Sequence, residues 1–151
     1  MSGNKIKLVL DQDVLDRYYR DYFKKYPKRR KRYIERPLHP SINTWMILQR
    51  PAMNKLKQEW HDFIDWWIHD LHLEDSHLDQ FCLTFKTYKP PRRRSDPDNT
   101  VPKFILDGFT DSGFIQDDCG THLKALTLST DYDKEHPRTE IEVEILQGEN
   151  G

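Results

Sequence analysis

The chain is poor in the residues that mark several protein classes. It has two cysteines in 151 residues, too few for a disulfide scaffold. Its six glycines form no glycine-rich phosphate loop. Long apolar runs are missing: the longest, Trp45–Leu48, is far short of the ~20 residues of a membrane span. The first residues show no basic segment followed by an apolar one. A cytoplasmic protein with no membrane partner is therefore expected. Leu, Ile, Val and Phe account for only 36 residues, just above the ~20% below which chains tend to stay disordered. The core should be thin, with four Trp, seven Tyr and seven Phe supplying much of it.

Net charge is nearly absent as well, at −1, but that value is a cancellation. Residues 1–94 hold 20 basic and 12 acidic side chains, and residues 95–151 hold 4 and 13. Lys24, Lys25, Lys28, Arg29, Arg30, Lys31, Arg32 and Arg36 form one basic run, interleaved with Tyr22, Phe23, Tyr26 and Tyr33. Lys86, Lys89, Arg92, Arg93 and Arg94 form a second. One such run is ordinarily a solvated surface. Two, with aromatics between, suit a phosphate backbone.

Alternation of Ile6, Leu8 and Leu10 with Lys5 and Lys7 predicts a strand. Asp11 or Asp13 is placed to cap a helix carrying Val14, Tyr18 and Tyr22, which Pro27 ends. Residues 28–43 show little periodicity. Pro51 suits a first helical turn, and Leu56, Trp60, Phe63, Ile64, Trp67 and Leu71 predict a helix over about 52–72. Trp66 points off that stripe and is a candidate for a dimer surface. Phe81, Leu83 and Phe85 predict a strand over 79–88. Asn99 suits the cap of a helix over about 100–112 that buries Val101, Phe104, Ile105 and Phe109. Gly113 and Phe114 follow where a left-handed cap and its hydrophobic partner belong. Strands are predicted over 121–130 and through Ile141, Val143 and Ile145. In condensed form the order is strand, helix, strand, helix, strand, strand. This is an α+β domain, a small mixed β-sheet with helices on one face.

The sharpest chemistry lies in Arg92-Arg93-Arg94-Ser95-Asp96-Pro97-Asp98-Asn99. Pro97 favours extended backbone at Asp96, so Asp96 and Asp98 can point to the same side. Two neighbouring carboxylates repel unless a cation holds both ionised. Carboxylates without His or Cys suit a hard ion such as Mg²⁺ or Mn²⁺. The same residues are also good turn and cap formers, and both readings stand on spacing alone. Asp117-Asp118 follows beyond the predicted helix. His61, His69, His72 and His77 lack the regular spacing of a zinc site. Cys119, beside two carboxylates, is not placed to be a nucleophile, and Cys82 reads as a packed strand thiol.

Together, Arg92-Arg93-Arg94-x-Asp96-x-Asp98-Asn99, Lys103-x-x-x-Asp107 and Gly113-Phe114-x-x-Asp117-Asp118 resemble the RusA family of Holliday-junction resolvases. The likeness covers about 81–146. The segment Ile34–Asn43 is similar to the family's opening strand and turn, and residues 1–32 have no counterpart. The domain reading is accordingly an N-terminal extension, 1–32, and a RusA-like domain, 33–151. The resemblance implies a two-fold homodimeric, Mg²⁺-dependent endonuclease (Mn²⁺ being the other candidate) that resolves four-way DNA junctions by paired nicks in recombination and repair. Its carboxylates would be Asp96, Asp98 and Asp118, with Asp117 an adjacent candidate for the third position. Lys103 would act at the scissile phosphate, although the Asn99–Lys103 spacing is one residue longer than the family pattern and includes Pro102. Arg92–Arg94 and the Lys28–Arg32 run would hold DNA. Members are often encoded by bacteriophages and prophages. The competing expectation is a non-catalytic module on the same scaffold that binds branched DNA or a protein.

Overall fold

In the computed structural model, residues 5–27, 50–89, 103–117 and 119–146 are described. Seven elements follow in order: β1 (Lys5–Leu10), α1 (Gln12–Lys25), α2 (Arg50–Asp70), β2 (Phe81–Lys89), α3 (Lys103–Asp111), β3 (Leu123–Tyr132) and β4 (Arg138–Ile145). The condensed order read from the sequence needs one correction: two consecutive helices, α1 and α2, stand where it has one.

The four strands form one mixed sheet in the order β1-β4-β2-β3. β4 lies antiparallel to both β1 and β2, and β3 runs parallel to β2. That parallel pair requires a crossover, and α3 lies within it. Alternation divides the sheet into two faces. Leu8, Leu10, Phe81, Leu83, Phe85, Ile141 and Val143 are all buried and share one cluster with residues from all three helices. The opposite face carries charge. Lys5 and Lys7 on β1 pair with Glu142 and Glu140 on β4 at 3.3 and 3.1 Å.

Each helix forms for a local reason. Asp11 caps α1, its carboxylate accepting from the Val14 backbone N–H at 3.1 Å. Tyr18 and Tyr19 are buried at its centre. α2 buries Trp60, Phe63, Ile64, Trp67 and Ile68, and Pro51 is its second residue, where a missing N–H costs little. The predicted stripe ran one residue too far. The helix stops at Asp70, and Leu71 is 37% exposed in the turn beyond. Trp66, off the stripe, is partly buried beside α1: its ring lies 5.4 Å from Tyr18 and its N–H donates to Asp21 at 3.0 Å.

α3 buries Phe104, Ile105 and Phe109 as expected; Val101 lies outside the described residues. Gly108 sets how closely α3 approaches α2, since a Cβ there would stand 2.6 Å from Ile64. Gly113 has φ +88. The Phe114 N–H donates to Phe109 O at 3.0 Å and the Gly113 N–H to Thr110 O at 3.3 Å, the pattern of a left-handed C-terminal cap. The Phe109 and Phe114 rings meet edge to face at 5.0 Å. β1 and α1 belong to the same sheet and core as the rest of the chain. No described helix is long and apolar enough to cross a membrane.

Candidate active site

The β2–α3–β3 crossover frames the acid signature. β2 ends at Lys89, α3 is described from Lys103, and the segment between them bears Arg92, Arg93, Arg94, Asp96 and Asp98. Those residues lie outside the described ones, as do Asp118 and the Lys28–Arg32 run. Lys103 is the first described residue of α3, so its backbone position is known.

Of the four acids expected to bind metal, Asp117 is the one whose surroundings are described, and it is exposed. The chain leaving α3 is pinned beside the start of β2. The His77 N–H donates to Gly113 O at 2.8 Å, the Leu78 N–H to Phe114 O at 3.0 Å and the Gln116 N–H to Leu78 O at 2.9 Å. This short parallel ladder fixes Asp117 just beyond the Phe81 end of the sheet. The next turn is closed by the His122 and Leu123 N–H groups, which donate to Cys119 O at 3.0 and 2.8 Å.

In chain order the acids of the crossover flank α3. The Asp96–Asp98 segment departs from the Lys89 end of β2, and Asp117 lies past the Phe81 end.

Sequence reasoning missed one pair at this end. His122 Nδ1 lies 2.8 Å from both the side-chain oxygen and the carbonyl of Asp79. The contact fixes one ring nitrogen and leaves the Nε2 edge as the other polar edge of the ring. Asp79 adjoins Leu78 and Asp117 adjoins Gln116, so the Leu78–Gln116 hydrogen bond puts both acids at one end of the sheet. No local pattern announces this pair, because 43 residues separate its members.

His61 and His69 of α2 also have partners. His61 bridges α2 to Asp111 of α3 at 3.2 Å. His69 Nδ1 lies 2.7 Å from the Asp65 carbonyl, a hydrogen bond that raises its pKa. His72 and His77 take positive φ in the turn between α2 and β2. Among the described residues no three His, Cys, Asp or Glu side chains are grouped to hold a metal ion; of the expected ligands, Asp117 alone belongs to that set.

The charge asymmetry is partly stitched together across the open face of the sheet. Besides the Lys5 and Lys7 pairs, Lys86 lies 3.8 Å from Asp131. The Arg138 guanidinium lies 2.7 Å from Glu140 and 2.8 Å from Asp133, and 3.8 Å over the Tyr88 ring. Arg138 holds the Asp133 carboxyl below the usual range. Burial pushes Glu140 up, but hydrogen bonds from Arg138 and Lys7 outweigh it and leave its pKa lowered. These cations are paired with the protein's own acids. Comparison of the chain with protein-family models gave no match, and a search of curated proteins gave none either.

Proposed function

We propose that the chain is a RusA-like, metal-dependent endonuclease that resolves four-way DNA junctions by paired nicks as a homodimer. The observation that supports the reading is the order of acids in the sequence relative to one β-α-β crossover. An Asp-x-Asp pair follows a strand and a run of arginines, and an Asp-Asp pair follows the helix that packs back on the sheet.

The donor set fits a hard divalent ion. Asp96, Asp98 and Asp118 (or Asp117) offer only oxygen, and Asp117 is exposed rather than folded into the core. Cys119 is also exposed, but it is not a donor that Mg²⁺ favours. When bound, the ion supplies activation of water and neutralisation of phosphoryl charge. Arg92–Arg94 and Lys28–Arg32 hold the flanking phosphates, which a bare acidic site would repel. Lys103 offsets charge on the scissile phosphate. Junctions are distinguished by shape, so phosphate-directed cations are appropriate tools. Two sites on a two-fold dimer match the pseudo-symmetry of the junction.

The test is cleavage of a mobile synthetic four-way junction in Mg²⁺, read on denaturing gels. The expected result is paired nicks in opposed strands, abolished in Asp98→Asn with junction binding retained. Normal cleavage by that variant contradicts the assignment. Tight junction binding by the wild type with no cleavage in Mg²⁺ or Mn²⁺ favours the non-catalytic module.

A further inference from the structure

We propose that the cleft between α1 and α2 is a recognition site for an arginine side chain of a partner protein. The proposal uses residues on which the nuclease reading does not depend. The cleft encloses about 430 Å³, within the range of small-ligand sites. Its walls follow from helical spacing. Tyr18, Tyr22 and Tyr26 line one side at intervals of four; Asp62, Asp65 and Trp66 line the other. The Tyr22 ring lies 5.8 Å from Tyr18 and 5.1 Å from Tyr26.

Three carboxylates face this aromatic surface: Asp21, Asp62 and Asp65. Contacts among the described residues engage one oxygen of each. Asp21 Oδ2 accepts from Trp66 Nε1 at 3.0 Å, Asp62 Oδ1 accepts from Gln58 at 2.7 Å, and Asp65 Oδ1 is 3.6 Å from His69 Nδ1. Against them stand Lys25, which lies 5.4 Å over the Tyr26 ring, and His69. The cleft thus keeps a surplus of negative charge beside π faces, the combination that draws a guanidinium.

Two further observations narrow the ligand. Tyr18 lines the cleft with only 6% of its surface exposed, and its hydroxyl forms no hydrogen bond among the described residues. Burial, with Asp62 nearby, pushes its pKa up, so it stays a neutral O–H donor and calls for an acceptor such as a peptide carbonyl. The protein also already holds one guanidinium this way. Arg17 lies 5.6 Å over the Trp66 ring and 3.0 Å from Asp70. A second guanidinium in the cleft would meet Tyr22, Tyr26, Asp62 and Asp65, while its main-chain carbonyl accepts from Tyr18.

The test is titration of the full chain with an acetylated, amidated arginine tripeptide, with the citrulline tripeptide as its uncharged control. The readout is the NMR signal of the Trp66 indole N–H, assigned by its loss in Trp66→Phe. A saturable shift with the arginine peptide alone is expected. Asp62→Asn combined with Asp65→Asn should weaken binding by about tenfold, since charge-assisted hydrogen bonds are lost. Tyr18→Phe should weaken it by roughly a few-fold, the effect of one neutral hydrogen bond. Asp62 and Asp65 are about half exposed, so the double variant keeps its fold, checked by an unchanged melting midpoint. No shift at millimolar peptide, an equal shift with citrulline, or full affinity in the double variant would overturn the proposal.

Discussion

Carboxylates collect in two parts of this molecule, in different company. In the α1–α2 cleft, Asp21, Asp62 and Asp65 stand against three tyrosines and a tryptophan. Along the sequence of the β2–α3–β3 crossover, Asp96 and Asp98 directly follow Arg92–Arg94, and Asp117 and Asp118 follow α3. Carboxylates against π faces suit an organic cation, whose charge is diffuse and whose body is partly apolar. Carboxylates bracketed by arginines suit a compact hard ion that must meet a phosphate. Net acidity alone would make the two regions look alike; their neighbours separate them.

The largest expected effect falls on one region only. Asp98→Asn should lower junction cleavage by about two orders of magnitude or more, as loss of a metal ligand does, and leave arginine-peptide binding unchanged. A loss of both activities would show that the variant had disturbed the shared fold.

The next effects act on the core that joins the regions. Trp67 is 1% exposed beneath α2, and Trp67→Ala should cost about 3–5 kcal/mol in a urea titration, weakening both regions together. Gly108→Ala drives a methyl group into Ile64 at the α2–α3 contact. It should cost about 1–3 kcal/mol, the usual penalty of overpacking, and impair cleavage more than peptide binding because it displaces α3. A smaller effect isolates the other side. Asp11→Ala removes the α1 cap, should cost about 1 kcal/mol, and should affect the cleft without touching the crossover.

The smallest effect belongs to the open face of the sheet. Asp133 and Glu140 both have lowered pKa values. Their contribution to stability is present above the unfolded-state values and lost as pH falls through the lowered folded-state ones. Arg138→Gln removes the partner they share. Its melting midpoint should fall less between pH 7 and pH 3 than that of the wild type. Parallel decline of the two proteins would refute the linkage.

Much of the fold was readable because each element carries its own period. Phe81, Leu83 and Phe85, or Trp60, Phe63 and Trp67, announce a buried face without reference to distant residues. Asp11 and Gly113 announce helix ends because capping is local too. The order of strands was not readable, because pairing between β1 and β4 joins residues more than a hundred positions apart, through contacts no neighbour encodes. The neighbour of Trp66 was not readable for the same reason. The residue's own position off the α2 stripe was visible, but the helix it faces lies 45 residues away. The acid signature was readable as spacing, and the Asp79–His122 pair beside it was not. The charge asymmetry was readable as a sum, but its partial cancellation by Lys5, Lys7 and Arg138 depends on the register of the sheet.

The central claim is that acids from the two ends of the crossover form one metal site. Calorimetric titration of Mn²⁺ into the wild type, Asp98→Asn and Asp118→Asn tests it most directly. The account predicts one site per chain in the wild type and its loss or severe weakening in each variant separately. Unchanged Mn²⁺ binding in either variant would contradict it.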